Sequence, residues 1–175
     1  GMPGKNSRGN FPLELVQIDH TPLDLDLVDE ENRESIGRAY LTLGIDVFSR
    51  MIMGFYISYE SPSFFNTGQC ILNMIMPKDD FLKQQNVNGE WGIYGLPREI
   101  STDNAKEFRG LDLTRFCEQY SIQINWRPVG RSFYGANVER VFRTLSSEVH
   151  TLSGTTFSNI IHKGNYNSQK NAAMT

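Results

Sequence analysis

Three carboxylates stand out by their settings. Asp19 closes the apolar run of LVQIDHT, and Asp103 follows the short β-prone run at 98–102 in REISTDNAKEF. Glu139 sits in YGANVERVFRTL, one turn into a stretch with helical periodicity, and 35 residues separate it from Asp103. Moving a phosphodiester requires an activated attacking oxygen and a neutralised leaving oxygen, and two divalent ions about 4 Å apart do both at once. Magnesium takes hard oxygen ligands and needs few of them from protein. Two acids at strand ends and one on a helix would supply that set at fixed separations, as a site for cutting and joining DNA strands requires. Crowded carboxylates repel one another when no metal is bound, so their stabilisation depends on the ion. Each acid alone also reads as a plain surface residue, and Thr-Asp-Asn is ordinary turn sequence. The signal lies in the three contexts together.

Other chemistry-bearing residues admit two readings each. Arg143, four positions after Glu139 and on its helix face, either holds a DNA phosphate or pairs with Glu139. Arg140 is a solvated or DNA-facing side chain. Arg127 and Arg131, on a loop bearing Gly130, are phosphate contacts or surface residues. Asp46 in GIDVFSR is a rival acid, though its place at a hairpin beside Ser49 and Arg50 favours a turn or ion-pair role. Glu107 is a supporting acid behind Asp103 or a helix-start residue favoured by the dipole. His20 and His150 lack a second ligand at metal spacing, although His20, beside Asp19, could line a cleft.

The scaffold signals follow chain order. Residues 1–12, rich in Gly, Pro and Asn, read as a loose lead-in whose Gly ahead of Met is a cloning remnant. Over 13–19 apolar and polar residues largely alternate, which suits a strand with one buried face. Residues 24–38 are acidic and poorly periodic, so a surface excursion or long hairpin tip is expected. The β-prone runs at 39–46 and 51–58 lie four residues apart, which predicts a hairpin and, with the first strand, a meander. Ser61-Pro62-Ser63 opens a helix, and Phe64, Phe65, Cys70, Ile71, Met74 and Ile75 recur at helical spacing up to Pro77. A long connection over 78–96 has Trp91 and Tyr94 as candidate anchors. Strands at 98–102 and 121–126 flank a short helix at 113–120, and a loop at 127–134 follows. The final helix spans 137–152, with Val138, Val141, Phe142, Leu145 and Val149 on one face and Gly154 as its cap. Strands first in a meander and then alternating with helices imply a mixed sheet covered by helices.

The 175 residues fit one domain, with a core over 13–153 and a polar tail over 154–175 that leads towards a further domain. Apolar residues make up 39% and charged residues 21%, the balance of a globular chain rather than a disordered one. No run of about 18 apolar residues offers a membrane span. Cys70 and Cys117 lack metal spacing and read as buried free thiols. A net charge of −3 argues against binding to nucleic acid by bulk attraction alone. Charge is unevenly spread: residues 24–34 hold six acids and one arginine, whereas 126–143 hold four arginines and one acid.

With QIDHT around Asp19, YLTLGIDVFSRMIMGFYIS, STDNAKEF around Asp103 and GANVERVFRTL around Glu139, the chain resembles a known group. This is the catalytic core of transposases and retroviral integrases, the DDE group of the RNase H-like superfamily, and within it the TnsB and Mu type of bacterial transposase. The likeness spans residues 13–152, and 35 residues between second and third acid is that group's own spacing. It implies an α/β, RNase H-like fold: a five-stranded mixed sheet, three antiparallel strands plus two parallel ones, flanked by helices. It implies that Asp19, Asp103 and Glu139 are catalytic and bind two Mg²⁺ or Mn²⁺ ions. The implied chemistry is one-step in-line attack, by water at a transposon end and then by the freed 3′-hydroxyl on target DNA. Implied partners are transposon-end and target DNA, further copies of the chain in the DNA complex and an AAA+ ATPase, in the bacterial cytoplasm at the nucleoid. Two positions depart from the group's pattern: Ala105, where many integrases have Gly, and Ser146, where retroviral members commonly carry a basic residue. Two other functions use the same fold, a structure-specific RNase H-like nuclease and a non-catalytic DNA-binding module.

Overall fold

The computed structural model describes residues 9–29, 31–32, 34–102, 111–126 and 136–149. Its elements are β1 (Leu15–Val28), β2 (Ser35–Asp46), β3 (Ile52–Ser58), α1 (Phe64–Ile75), α2 (Asp79–Gln84), β4 (Glu99–Thr102), α3 (Leu111–Gln119), β5 (Gln123–Trp126) and α4 (Ala136–Val149). The strands form one sheet in the order β3-β2-β1-β4-β5. β1, β2 and β3 pair antiparallel, whereas β4 joins β1, and β5 joins β4, in parallel. The expected five-stranded mixed sheet with flanking helices is what the chain forms.

Period-2 alternation sorts the strand residues to two faces. Val16 and Ile18 of β1, Met53 of β3 and Ile100 of β4 pack with Ile71 and Met74 of α1 and with α3. On the other face Leu23, Leu25, Leu41, Leu43 and Ile45 pack against Val138 of α4. Val141, Phe142, Leu145 and Val149 complete that contact, so the helix face read from the 3.6-residue period is the one α4 buries.

The acidic excursion expected at 24–38 is corrected. β1 continues to Val28 and β2 begins at Ser35, because Leu23-Asp24-Leu25 is itself a period-2 pattern whose leucines bury beneath α4. At the tip between them, Asp29 accepts the N–H groups of Glu31, Asn32 and Glu34. At about 3.3 Å per residue that tip lies roughly 30 Å along the strand from Asp19.

The other differences are local. α1 starts at Phe64 with Ser63 as its cap, so Pro62 precedes the helix; Asn66 Oδ1 accepts Ser63 N–H at 3.0 Å. The 78–96 connection contains the six-residue α2, too short to leave a periodic signature. Of its two candidate anchors Trp91 is held, and Tyr94 is 50% exposed. Gly154 and the rest of the tail lie outside the described residues.

Both cysteines are free and buried, as the sequence suggests. Burial pushes the Cys70 thiol up to about 12 and the Cys117 thiol up to about 11. Neither thiol is therefore expected to react with a disulfide reagent at pH 8 in the native protein, whereas both react at once in denaturant. The sign for stability follows from the same shift. An ordinary thiol near 9.0 ionises in the unfolded chain first, so stability is intact below pH 9 and falls as pH rises towards 11.

Candidate active site

Asp19 lies opposite Leu43 in the β1–β2 ladder. Residues directly opposite in an antiparallel pair share a face, and Leu43 belongs to the core beneath α4. The Asp19 side chain therefore rises on the α4 side of the sheet. It is half-buried, and its Oδ1 accepts the His20 backbone N–H at 2.9 Å. Two residues back on the same face, Gln17 pairs in register with Ser101 of β4, and both are buried. A polar seam thus opens between the parallel strands just before Asp19. Asp103 itself lies outside the described residues. In sequence it follows Ser101 by two positions, as Asp19 follows Gln17.

α4 brings the other acid to this side. Val138 is fully buried against the sheet, and Glu139 beside it is exposed in the helix's first turn. A carboxylate there is favoured by the helix dipole, by about 0.3–1 kcal/mol. Arg140 and Arg143 are exposed on the same helix. Among the described residues no ion pair joins Arg143 to Glu139, which leaves Arg143 facing solvent. Arg127, Arg131, Glu107 and His150 lie outside the described residues.

The structure thus puts Asp19 and the Glu139-bearing helix on one face, with carboxylate oxygens of the type a hard cation takes. Among the described residues, no three His, Cys, Asp or Glu side chains come together as a metal-holding group. Two of the three expected ligands are within that set, and the third is not.

Residues 17–154 match the family model described as the TnsB C-terminal domain. The chain belongs to that family. Two relatives agree. This TnsB-type domain is 34% identical over 141 residues to the transposon Tn7 transposition protein TnsB of Escherichia coli, an alignment spanning 78% of the domain and 20% of that protein. It is 29% identical over 135 residues to the transposase for transposon Tn552 of Staphylococcus aureus, spanning 77% of the domain and 26% of that protein. The domain therefore covers about a quarter or less of these relatives.

Solved structures agree on the fold. The HTLV-2 integrase catalytic core domain in complex with magnesium, in its dimeric form, superposes with a TM-score of 0.53 at 18% identity, covering 82% of this domain and 74% of that chain. A simian T-cell lymphotropic virus intasome in complex with PP2A regulatory subunit B56 gamma gives 0.58 at 16% identity, covering 82% of the domain and 42% of that chain.

The rival residues have structural roles. Asp46 is fully buried, and its carboxylate accepts Leu13 N–H at 2.9 Å and the Ser49 N–H and O–H at 2.7 and 2.6 Å. It pins the 47–50 turn and the entry to β1, where Leu13 is held at φ 66°. Asp46→Ala is expected to lower stability by about 2 kcal/mol, and Asp46→Asn by much less, in urea unfolding. His20 does not line Asp19's side of the sheet. As the next residue in the strand it points to the opposite face, where Nδ1 meets Thr42 Oγ1 at 2.7 Å.

Two buried polar groups escape a reading of the sequence. Thr102 Oγ1, one residue before Asp103, is buried without a hydrogen-bond partner among the described residues. Lys78 is 1% exposed, and its ammonium donates to the main-chain oxygens of Asn73 and, at 2.7 Å, Met76. Burial pulls its pKa below the ordinary lysine value. A lysine just past the end of a predicted helix is a C-terminal signal, and Pro77-Lys78 could have been read as one.

Proposed function

We propose that this TnsB-type domain is the catalytic core of a DNA transposase, cutting a strand at a transposon end and joining the freed 3′-hydroxyl to target DNA. The observation that carries this is the β1–β4 register. Gln17 stands level with Ser101, so parallel strands continued two residues further would bring Asp19 and Asp103 level on the α4 side. Glu139 would complete the set from the first turn of α4.

In this mechanism Asp19, Asp103 and Glu139 would hold two Mg²⁺ or Mn²⁺ ions through their carboxylate oxygens. When bound, those ions supply Lewis-acid activation of the attacking oxygen and charge neutralisation at the leaving oxygen. The sheet would orient the two aspartates, since β1 carries Asp19 and is joined by backbone hydrogen bonds to β4, which ends one residue before Asp103 in sequence. In cutting, water adds to phosphorus as the P–O3′ bond breaks, and the departing 3′-oxygen takes up a proton. In joining, that 3′-hydroxyl attacks a target phosphate, one P–O bond forming as another breaks. Arg140 and Arg143 hold backbone phosphates from the exposed side of α4, with Arg127 and Arg131 on the preceding segment. Residues 13–153 make up the core and 154–175 lead on to further sequence. Transposon-end and target DNA, further copies of the chain and an AAA+ ATPase are the proposed partners, in the bacterial cytoplasm at the nucleoid.

Paramagnetic Mn²⁺ tests the metal assignment directly. Titration should broaden the amide resonances around Asp19 and in the first turn of α4, and Asp103→Asn should abolish that broadening. Resonances at both places that stay sharp would favour a non-catalytic DNA-binding module on the same fold.

A further inference from the structure

Among the described residues β3 is an outer strand, so one row of its main-chain groups has no neighbouring strand there. Outer strands are ordinarily guarded by charged residues, proline or a covering segment, since their open groups template pairing with another chain. Residues 51–58, MIMGFYIS, contain no charge and no proline. Short uncharged runs of this kind are the ones that stack into intermolecular sheets. The protection comes from elsewhere in the chain.

Two groups of the outward row are taken by side chains. Trp91 Nε1–H donates to Ile52 O at 3.0 Å, and Phe55 N–H donates to Asn73 Oδ1 at 3.1 Å. The Trp91 ring lies on Phe55 with centroids 5.9 Å apart and planes 3° apart, and Phe81 meets Phe55 edge-on at 5.7 Å. The segment carrying Trp91 is tied down on both sides. Upstream, the Lys78 ammonium sits on the last carbonyls of α1 and 5.5 Å from the Trp91 ring. Downstream, Gly95 N–H donates to Met74 O at 3.1 Å.

We propose that residues 78–97 are a strap that closes the outer edge of β3 against strand addition by a second copy of this chain, with Trp91 as the guard and Lys78 as its anchor. By strand alternation the outward row continues past Phe55 to the main chain of Ile57, whose side chain is 48% exposed. Loss of Trp91 would open Ile52 O as well, leaving the uncharged strand with open groups on both sides of the Phe55 N–H that Asn73 still holds. This inference concerns association and holds whether or not the domain cuts DNA.

The test is the oligomeric state of variants by size-exclusion chromatography with light scattering. Trp91→Ala should tighten self-association about tenfold or more over the parent chain at native circular dichroism. Adding Ile57→Lys should reverse it, because a charge on an outer strand blocks pairing. Trp91→Phe, which keeps the ring stack and loses the N–H bond, should fall between. Association of Trp91→Ala equal to the parent's, or association that Ile57→Lys leaves unchanged, overturns the strap. Should Trp91→Ala fail to fold, Trp91→Phe decides: added association reversible by Ile57→Lys supports the strap, and none overturns it.

Discussion

Asp19→Asn is expected to lower metal-dependent strand transfer by about a thousandfold, ~4 kcal/mol of transition-state stabilisation, with the fold unchanged. The substitution keeps the side chain's size and removes the charge that a divalent ion needs. Metal-free melting should stay within about 2 °C of the parent, because Asp19 is only half-buried and lies beside an apolar core rather than inside it. A small rise is as acceptable as a small fall, since one fewer carboxylate lessens the repulsion of a metal-free cluster. Addition of Mg²⁺ supplies a second readout. It should raise the melting temperature of the parent and leave the variant where it was, because only binding to the folded state stabilises. A variant that transfers strands normally, or a parent indifferent to Mg²⁺, would sink the catalytic proposal at this residue. The assay belongs in a parent-length protein, because the domain spans only 20% and 26% of its two curated relatives. No helix-turn-helix or zinc-finger pattern in the sequence accounts for recognition of transposon ends.

The largest stability effect is expected at a glycine. A Cβ at Gly54 would lie 2.7 Å from Met74 N, 2.8 Å from Cys70 O and 2.9 Å from Met74 Cα, all backbone of α1. Backbone within a hydrogen-bonded helix cannot turn aside, so α1 as a whole would have to back away from β3. Its cross-strand partner Gly44 makes the control. There the added Cβ meets Met74 Cε at 2.7 Å, the free end of a side chain with three rotatable bonds. Gly54→Ala should therefore cost about 3 kcal/mol or more, and Gly44→Ala about 1 kcal/mol or less. Strand propensity pushes the other way, favouring Ala over Gly by about 0.5–1 kcal/mol, so a loss at Gly54 isolates the clash. Urea unfolding of the two variants gives the comparison, and equal costs would show that α1 is not held against β3 as tightly as the contacts indicate.

Much of the fold was legible where one period dominates. The α4 face needed only the spacing of Val138, Val141, Phe142 and Leu145, and the structure buries that stripe. The far half of β1 was missed because the six acids over 24–34 outweighed the leucines between them, although alternation of Leu with Asp is a strand signal in its own right. α2 and the Lys78–Trp91 contact were illegible for another reason. One is too short to repeat, and the other joins residues 13 apart in a connection with no regular period. The candidate site reads in the sequence only as a set of motifs around Asp19, Asp103 and Glu139. Convergence of the three is a tertiary matter that motifs do not carry, and the described register reaches Gln17 and Ser101, two residues short of the two aspartates. His20 shows the limit of adjacency, since neighbouring residues on a strand look away from each other.

The two described acids are attached in unlike ways. Asp19 sits in a ladder of directional bonds, which fixes where its strand lies to a fraction of an ångström. Glu139 rides on a helix whose seat on the sheet is the apolar stripe of Val138, Val141, Phe142, Leu145 and Val149, and such contact tolerates sliding because it has no preferred angle. Damage to the first attachment should act like a broken hinge, and damage to the second like a dial turned down by degrees.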